Sequence, residues 1–159
     1  MLKGISKIIS PELLKVLAEM GHGDEIVIAD ANFPSATYGK RVVRADGIKG
    51  TDMLNAVLSL IPLDTYSSPN MILMELQDVD KGKINPLIWK EYEKIADSYD
   101  KNLQLGRIDR FDFYERAKSA YAVIATGEEA VYANIIIKKG VIKYQYSFLS
   151  ARNFIEKRR

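Results

Sequence analysis

Two rhythms of apolar and polar residues run along this chain. One is the spacing of a helix that buries a single stripe, and the other is the short unbroken apolar run of a buried strand. "SPELLKVLAEMG", 10–21, predicts a helix capped by Ser10, with Pro11 in its first turn and Gly21 as its stop. Leu13, Leu14, Leu17 and Met20 form its apolar stripe. "EIVIA", 25–29, is β-branched and apolar, which predicts a buried strand with Asp30 at its carboxyl end. "KRVVRAD", 40–46, predicts another strand, and "TDMLNAVLSLIP" a helix with Thr51 as cap and Pro62 beyond its end. "MILMEL", 71–76, is a strongly apolar strand. "NPLIWKEYEKIADSYD" repeats the cap-and-proline opening with Asn85 and Pro86. Leu87, Ile88, Tyr92, Ile95, Ala96 and Tyr99 give that segment helical spacing. A short strand over "GRI", a helix over "FDFYERAKSA", and strands over "YAVIAT" and "NIIIKK" complete the pattern. Helices alternating with apolar strands define an α/β domain, with helices in layers on both sides of a largely parallel central sheet.

Composition narrows this picture. The 159 residues suit one domain with a full core, and no repeat, low-complexity tract or linker interrupts them. The formal net charge of +2 gives no reason to expect nucleic acid or an anionic membrane as partner. The chain contains no cysteine, which removes disulfides, thiol catalysis and zinc–thiolate sites, and fits a reducing cytoplasm. No apolar run approaches the ~18 residues of a spanning helix, and the opening "MLKGISKIISPELL" lacks the apolar region of a secretory signal. A soluble cytoplasmic protein is expected. After Gly140 the pattern changes: "VIKYQYSFLSARNFIEKRR" alternates polar and aromatic residues and ends basic.

Candidate chemistry centres on His22, the one histidine, which stands between two glycines in "GHGDEI". That segment begins like a G-x-G-x-x-G loop but lacks the third glycine. It also follows a helix and precedes a strand, the reverse of dinucleotide-binding order. No P-loop and no G-x-S-x-G elbow occurs. A metal at His22 and Asp24 would need carboxylate or backbone oxygens for its remaining ligands, so no metal is expected. Acid–base chemistry remains, because an ordinary imidazole both takes and gives protons near neutrality. Taken locally, the same residues also read as a helix end followed by an exposed histidine. Asp30 sits where open α/β sheets place ligands, or is a strand-end turn residue. Arg110 and Tyr114, four apart, share a helix face; the pair could hold hydroxyls and relay a proton, or be a snorkelling arginine beside a packed tyrosine. Tyr132 and Asn134 lie beside a strand start, where turn chemistry alone would account for them.

Together these blocks resemble the L-fucose mutarotase family, which is related to the ribose pyranases. The resemblance is carried by "ISPELLKVLAEMGHGDEIVIADANFP", "VVRADG", "RFDFYERAKSAYAVIATGE" and "YANIIIKKGV", in order, from about residue 1 to 141. It implies a mutarotase-like domain over 1–141, a C-terminal extension over 142–159, and an isomerase that opens and recloses the ring of a monosaccharide without cofactor or metal. It places the catalytic histidine on His22, and the sugar contacts on Asp30, Arg110, Tyr132, Ala133 and Asn134. Tyr114 matches the tyrosine of the F-Y-E-R block and is the second catalytic candidate; Asp30 and Tyr132 are further candidates for the second proton transfer. The Y-A-N triplet is the ribose-pyranase form, so ribose pyranose–furanose exchange is one alternative. A non-catalytic sugar-binding protein on the same scaffold is the other. The resemblance also implies a homo-oligomer, a pentamer or decamer with sites near subunit contacts. Spacing points the same way. His22 precedes the first strand and Asp30 follows it, and eight extended steps span up to ~26 Å. Either loops fold back sharply, or one site draws on two subunits.

Overall fold

A computed structural model describes residues 2–143. The elements in chain order are α1 (Pro11–Glu19), β1 (Glu25–Ala29), α2 (Ser35–Tyr38), β2 (Val42–Ala45), α3 (Gly50–Leu58), β3 (Met71–Met74), α4 (Ile88–Tyr99), β4 (Leu105–Ile108), α5 (Arg110–Ser119), β5 (Ala122–Thr126) and β6 (Ile135–Lys138). Every strand and helix expected from the sequence is present within a few residues, and the single turn of α2 after Pro34 was not foreseen. Of the extension expected over 142–159, only its first two residues lie within the described part; the rest lies outside it.

The six strands form one sheet in the order β2-β5-β1-β6-β3-β4. The pairs β2–β5, β5–β1 and β3–β4 are parallel, whereas β6 runs antiparallel to both β1 and β3. The sheet is therefore mixed, largely parallel with one reversed strand. Period-two alternation splits the strand residues between two cores. Ile26, Ile28, Met71, Leu73, Ile124, Ile135 and Ile137 pack with Leu13, Leu17, Leu54, Val57 and Tyr92 from α1, α3 and α4. Val27, Ile72, Val123 and Ile136 face the other way, onto Phe33 and onto Phe113 and Ala117 of α5. This gives three layers, helices on each side of the sheet.

Several helix ends differ from their local signals. Ser10 caps α1 as expected, accepting from the Leu13 amide at 3.1 Å. The helix ends at Glu19 with Met20 as its C-cap, directly before Gly21, and Lys139 from beyond β6 donates its ammonium to the carbonyls of Leu17 and Met20. Gly23, not Gly21, takes the positive φ of 84° in the turn that follows. Thr51 does not cap α3. The helix begins at Gly50, whose amide donates to Glu128 Oε2 at 3.0 Å, a carboxylate supplied from the β5–β6 connection. The same helix ends at Leu58, with Pro62 beyond its end as expected. Asn85 does not cap α4, which starts at Ile88 with Leu87 in the cap position and no side-chain cap.

Gly50 is required by close packing. A β-carbon there would collide with the hydroxyl of Tyr92, which is fully buried and donates to the Ala133 carbonyl at 3.1 Å. Gly50→Ala should therefore displace Tyr92 and destabilise the fold by about 2 kcal/mol, read as a lower urea midpoint at unchanged slope.

Candidate functional site

The direction of each strand decides what meets at the two edges of the sheet. Because β6 is reversed, its start lies beside the carboxyl ends of β1 and β3, and its end lies beside the entry to β1. The first edge carries a pocket of about 150 Å³. Asp30, Arg110, Tyr114, Tyr132 and Asn134 supply its polar groups, and Phe33, Met74 and Val131 supply an apolar wall. Carboxyl ends of parallel strands are where open α/β sheets hold ligands.

Asp30 and Asn134 are both buried and reciprocally bonded. The Asp30 amide donates to Asn134 Oδ1 at 2.9 Å, and Asn134 Nδ2 donates to Asp30 Oδ2 at 2.7 Å. The Asn32 amide also donates to the Asp30 carboxylate, at 3.0 Å. Burial raises the Asp30 pKa above the usual carboxylate range, and the hydrogen bonds from Asn32, Asn134 and the backbone of Ala133 and Phe33 oppose that rise without cancelling it. Ala133 is itself fully buried and does not line the pocket; its amide serves Asp30 instead.

Arg110 opens α5. Asp109 caps that helix by accepting from the amides of Phe111 and Asp112, at 2.8 and 3.2 Å. The Arg110 guanidinium lies over the Phe111 ring, 4.7 Å from its centroid, and 6.0 Å from the Tyr114 centroid. Its Nε is buried and has no hydrogen-bond partner among the described residues. Tyr114, one turn on, stacks on Tyr38 with ring centroids 4.6 Å apart and meets Phe33 edge-on. Burial raises its phenol pKa, partly offset by the Arg110 charge.

Tyr132 has φ of 60°, a conformation that bulky side chains rarely adopt. Its carbonyl accepts from Trp89 Nε1 at 2.8 Å, and its hydroxyl meets the Asp80 carboxylate.

His22 is not in this pocket. It lies at the opposite edge, before β1, where Gly23 is tied to the carbonyl following β6 by a 2.8 Å bond to Lys139. There His22 Nε2 meets Asp64 Oδ1 at 3.0 Å, and the ring packs edge-on against Tyr66. Asp64 is buried, while the imidazole is half exposed. An ionised carboxylate only accepts, so Nε2 carries the hydrogen, and in the neutral imidazole Nδ1 is left with its lone pair. Burial alone would raise the Asp64 pKa, but donation from Ser67, the Tyr66 amide and His22 outweighs it and brings it to about 2. The sequence reading missed Asp64. Its signal was the "DTYSS" stretch, in which an aspartate accepts from the amide two residues on and the hydroxyl three residues on. Asp80 and Trp89 were also missed; they come from a distant connection and helix, with no local signature. Among the described residues, no three histidine, aspartate or glutamate side chains gather as metal ligands. No helix of the described residues is long and apolar enough to cross a membrane.

The chain is a member of the RbsD / FucU transport protein family, whose profile matches residues 3–142. A fucose mutarotase from Mus musculus is 52% identical over 145 residues, covering 89% of this chain and 95% of that protein. The crystal structure of the fucose mutarotase of Streptococcus pneumoniae in complex with L-fucose superposes with a TM-score of 0.83 at 46% identity, covering 89% of this chain and all of that one. Bacillus subtilis RbsD complexed with D-ribose is more distant, with a TM-score of 0.66 at 26% identity, covering 90% of this chain and all of that one.

The Asp64 geometry has a consequence for pH. A carboxylate whose folded pKa is depressed stabilises the fold above its unfolded value, and that contribution is lost as pH falls through the folded pKa. For Asp64 the gain at neutral pH is about 2 kcal/mol, fading between about pH 4 and about 2. Asp64→Asn should lose this amount at neutral pH and show a flatter stability profile across the acid window, measured by urea denaturation at a series of pH values.

Proposed function

We propose that this protein is an L-fucose mutarotase, an isomerase that interconverts the α and β anomers by acid–base opening and closure of the sugar ring. The observation that carries the reading is the unpartnered Arg110 Nε in a pocket whose other polar groups suit sugar hydroxyls. A buried donor left unpaired is costly, and a sugar oxygen would satisfy it. The relatives at 46–52% identity that carry the name fucose mutarotase support the same sugar. So does the apolar wall of Phe33, Met74 and Val131, since L-fucose carries a methyl group where ribose has none.

Ring opening shifts two bonding electron pairs and two protons. The O1–H bond yields its proton as C1=O1 forms, the C1–O5 pair passes to O5, and O5 takes up a proton. Rotation about C1–C2 and closure in the reverse sense deliver the other anomer. His22 serves one of these oxygens through its free Nδ1, with Asp64 fixing the ring and stabilising the imidazolium when it forms. This is the logic by which a buried carboxylate orients a catalytic histidine. Tyr114 serves the other oxygen. Asp30, Arg110, Tyr132 and Asn134 hold the remaining hydroxyls, and Ala133 acts through its amide to Asp30.

His22 and the pocket lie at opposite edges of one sheet, so a complete site needs His22 from a neighbouring copy. The surfaces support such an assembly. Beside His22, Tyr66 is 66% exposed and lies under Lys143, and Val141 and Ile142, which precede Lys143 in the chain, are exposed as well. Beside the pocket, Phe111 is 62% and Val131 47% exposed. These are two different apolar surfaces, and joining one to the other is a head-to-tail contact, the kind from which a closed ring is built. A pentamer, or two paired into a decamer, is the assembly inferred.

Two measurements test these statements. His22→Gln should slow anomer exchange of L-fucose at least ~10²-fold, read by NMR saturation transfer, with the thermal midpoint little changed. His22→Gln and Asp30→Asn should each be inactive alone, yet random co-assembly should restore exchange at about one site in four, because some sites then combine the intact halves of both. No recovery on mixing would place the two residues in one subunit's site.

A further inference from the structure

Tyr132 faces the pocket in a backbone conformation that the surrounding structure imposes. Trp89 Nε1 donates to its carbonyl at 2.8 Å, and the Tyr92 hydroxyl donates to the carbonyl of the next residue, Ala133, at 3.1 Å. Both clamps come from α4, so the main chain on either side of the ring is held from one helix. The phenol is held as well, from the connection between β3 and α4. The Gln77 amide donates to the Tyr132 oxygen at 3.3 Å, and the phenol hydroxyl donates to the Asp80 carboxylate. Asp80 is in turn fixed within that connection. Its amide donates to the Gln77 carbonyl at 2.9 Å, and its carbonyl accepts from Lys83 and Ile84 at 3.0 Å.

These partners decide the direction of the bond that Tyr132 offers to a ligand. A phenol has one hydrogen to give and two lone pairs to receive with. An ionised carboxylate cannot donate, so the single hydrogen goes to Asp80. A backbone amide cannot accept, so one lone pair goes to Gln77. One lone pair is left for the pocket, and no hydrogen. The other polar groups of the pocket are committed differently. Asp30 already accepts from Asn32 and Asn134, whereas Arg110 Nε is a donor without a partner.

We propose that Asp80 is a specificity-determining positioning residue: by committing the Tyr132 proton, it makes that phenol an obligate acceptor, so that the sugar must present a hydroxyl that donates. Asp80 does not touch the sugar. It acts through Tyr132, and it links the 75–87 connection to the choice of ligand. The inference rests on the sugar-binding reading of the pocket and adds a polarity to one contact in it.

Fluorine separates a site that needs a donor from one that tolerates an acceptor. A deoxyfluoro sugar keeps a weak acceptor where the hydroxyl stood, and a deoxy sugar keeps nothing. The probes are L-fucose and its singly deoxygenated and singly deoxyfluorinated derivatives, with dissociation constants read by titration calorimetry. For the unaltered protein, one ring position should lose affinity about tenfold on either change, fluorine recovering none of it. In Asp80→Ala the phenol hydrogen is released. Affinity for L-fucose should fall, and the fluoro derivative at that position should bind at least about threefold better than the deoxy one. Asp80→Glu, which restores a carboxylate on the same loop, should return the original pattern, and it is a second route if the alanine variant folds poorly. In exchange assays Asp80→Ala should raise KM and leave kcat within about twofold, since neither proton-transfer residue is altered. The proposal is overturned if the unaltered protein recovers affinity with fluorine at every position, or if Asp80→Ala leaves the fluoro and deoxy derivatives equal. Unaltered protein that binds L-fucose but does not exchange its anomers would overturn the mutarotase reading alone, because the binding pattern still decides the role of Asp80.

Discussion

One short strand sets the terms for everything else in this molecule. β1 is five residues long, and four of them have no solvent exposure. It is bonded on one side to β5 and on the other to β6, so it can neither bend nor slip. His22 precedes it and Asp30 follows it, and a rigid extended backbone keeps the two apart by up to ~26 Å. No loop rearrangement closes such a gap without unpairing the centre of the sheet. His22 and Asp30 therefore face different directions within one subunit, and the function proposed above joins them only through a second copy.

The reversed strand β6 supports each of those residues. Asn134, the residue just before it, takes up both the amide and the carboxylate of Asp30. The trailing end of β6 delivers Lys139 to the last carbonyls of α1 and to the turn that carries His22. One strand thus braces a carboxylate at each edge of the sheet, because the Asp64 amide donates to the carbonyl of Lys138. The two carboxylates are shifted in opposite directions. Burial dominates at Asp30 and raises its pKa, while at Asp64 three donors overcome burial and lower it to about 2. Asp64 is thereby a fixed negative charge beside the imidazole, suited to orienting it. Asp30 holds its place through Asn134, and the two environments divide the labour between otherwise identical side chains.

Much of this was legible before any coordinates. The apolar runs at 25–29, 71–76 and 121–126 are strands, and the stripes at 10–21 and 85–100 are helices, because their patterns have no other way to bury themselves. The helix ends were less legible. Thr51 and Asn85 have the chemistry of caps, yet α3 is capped by Glu128 and α4 by no side chain. A local cap is one option among all the donors and acceptors that tertiary contact brings near, and a remote carboxylate can displace it. The reversal of β6 was likewise invisible, since an apolar run buried on both faces reads the same in either direction.

The sequence by itself determined the class of fold, the residues available for acid–base chemistry and the separation of His22 from Asp30, because these follow from periodicity, residue type and the length of an extended strand. Only the tertiary structure decided which partners those residues have. Asp64 behind His22, Asp80 behind Tyr132 and Asn134 against Asp30 join positions between 42 and 104 residues apart. Such pairings are set by strand order and strand direction, which a single chain's local pattern does not encode.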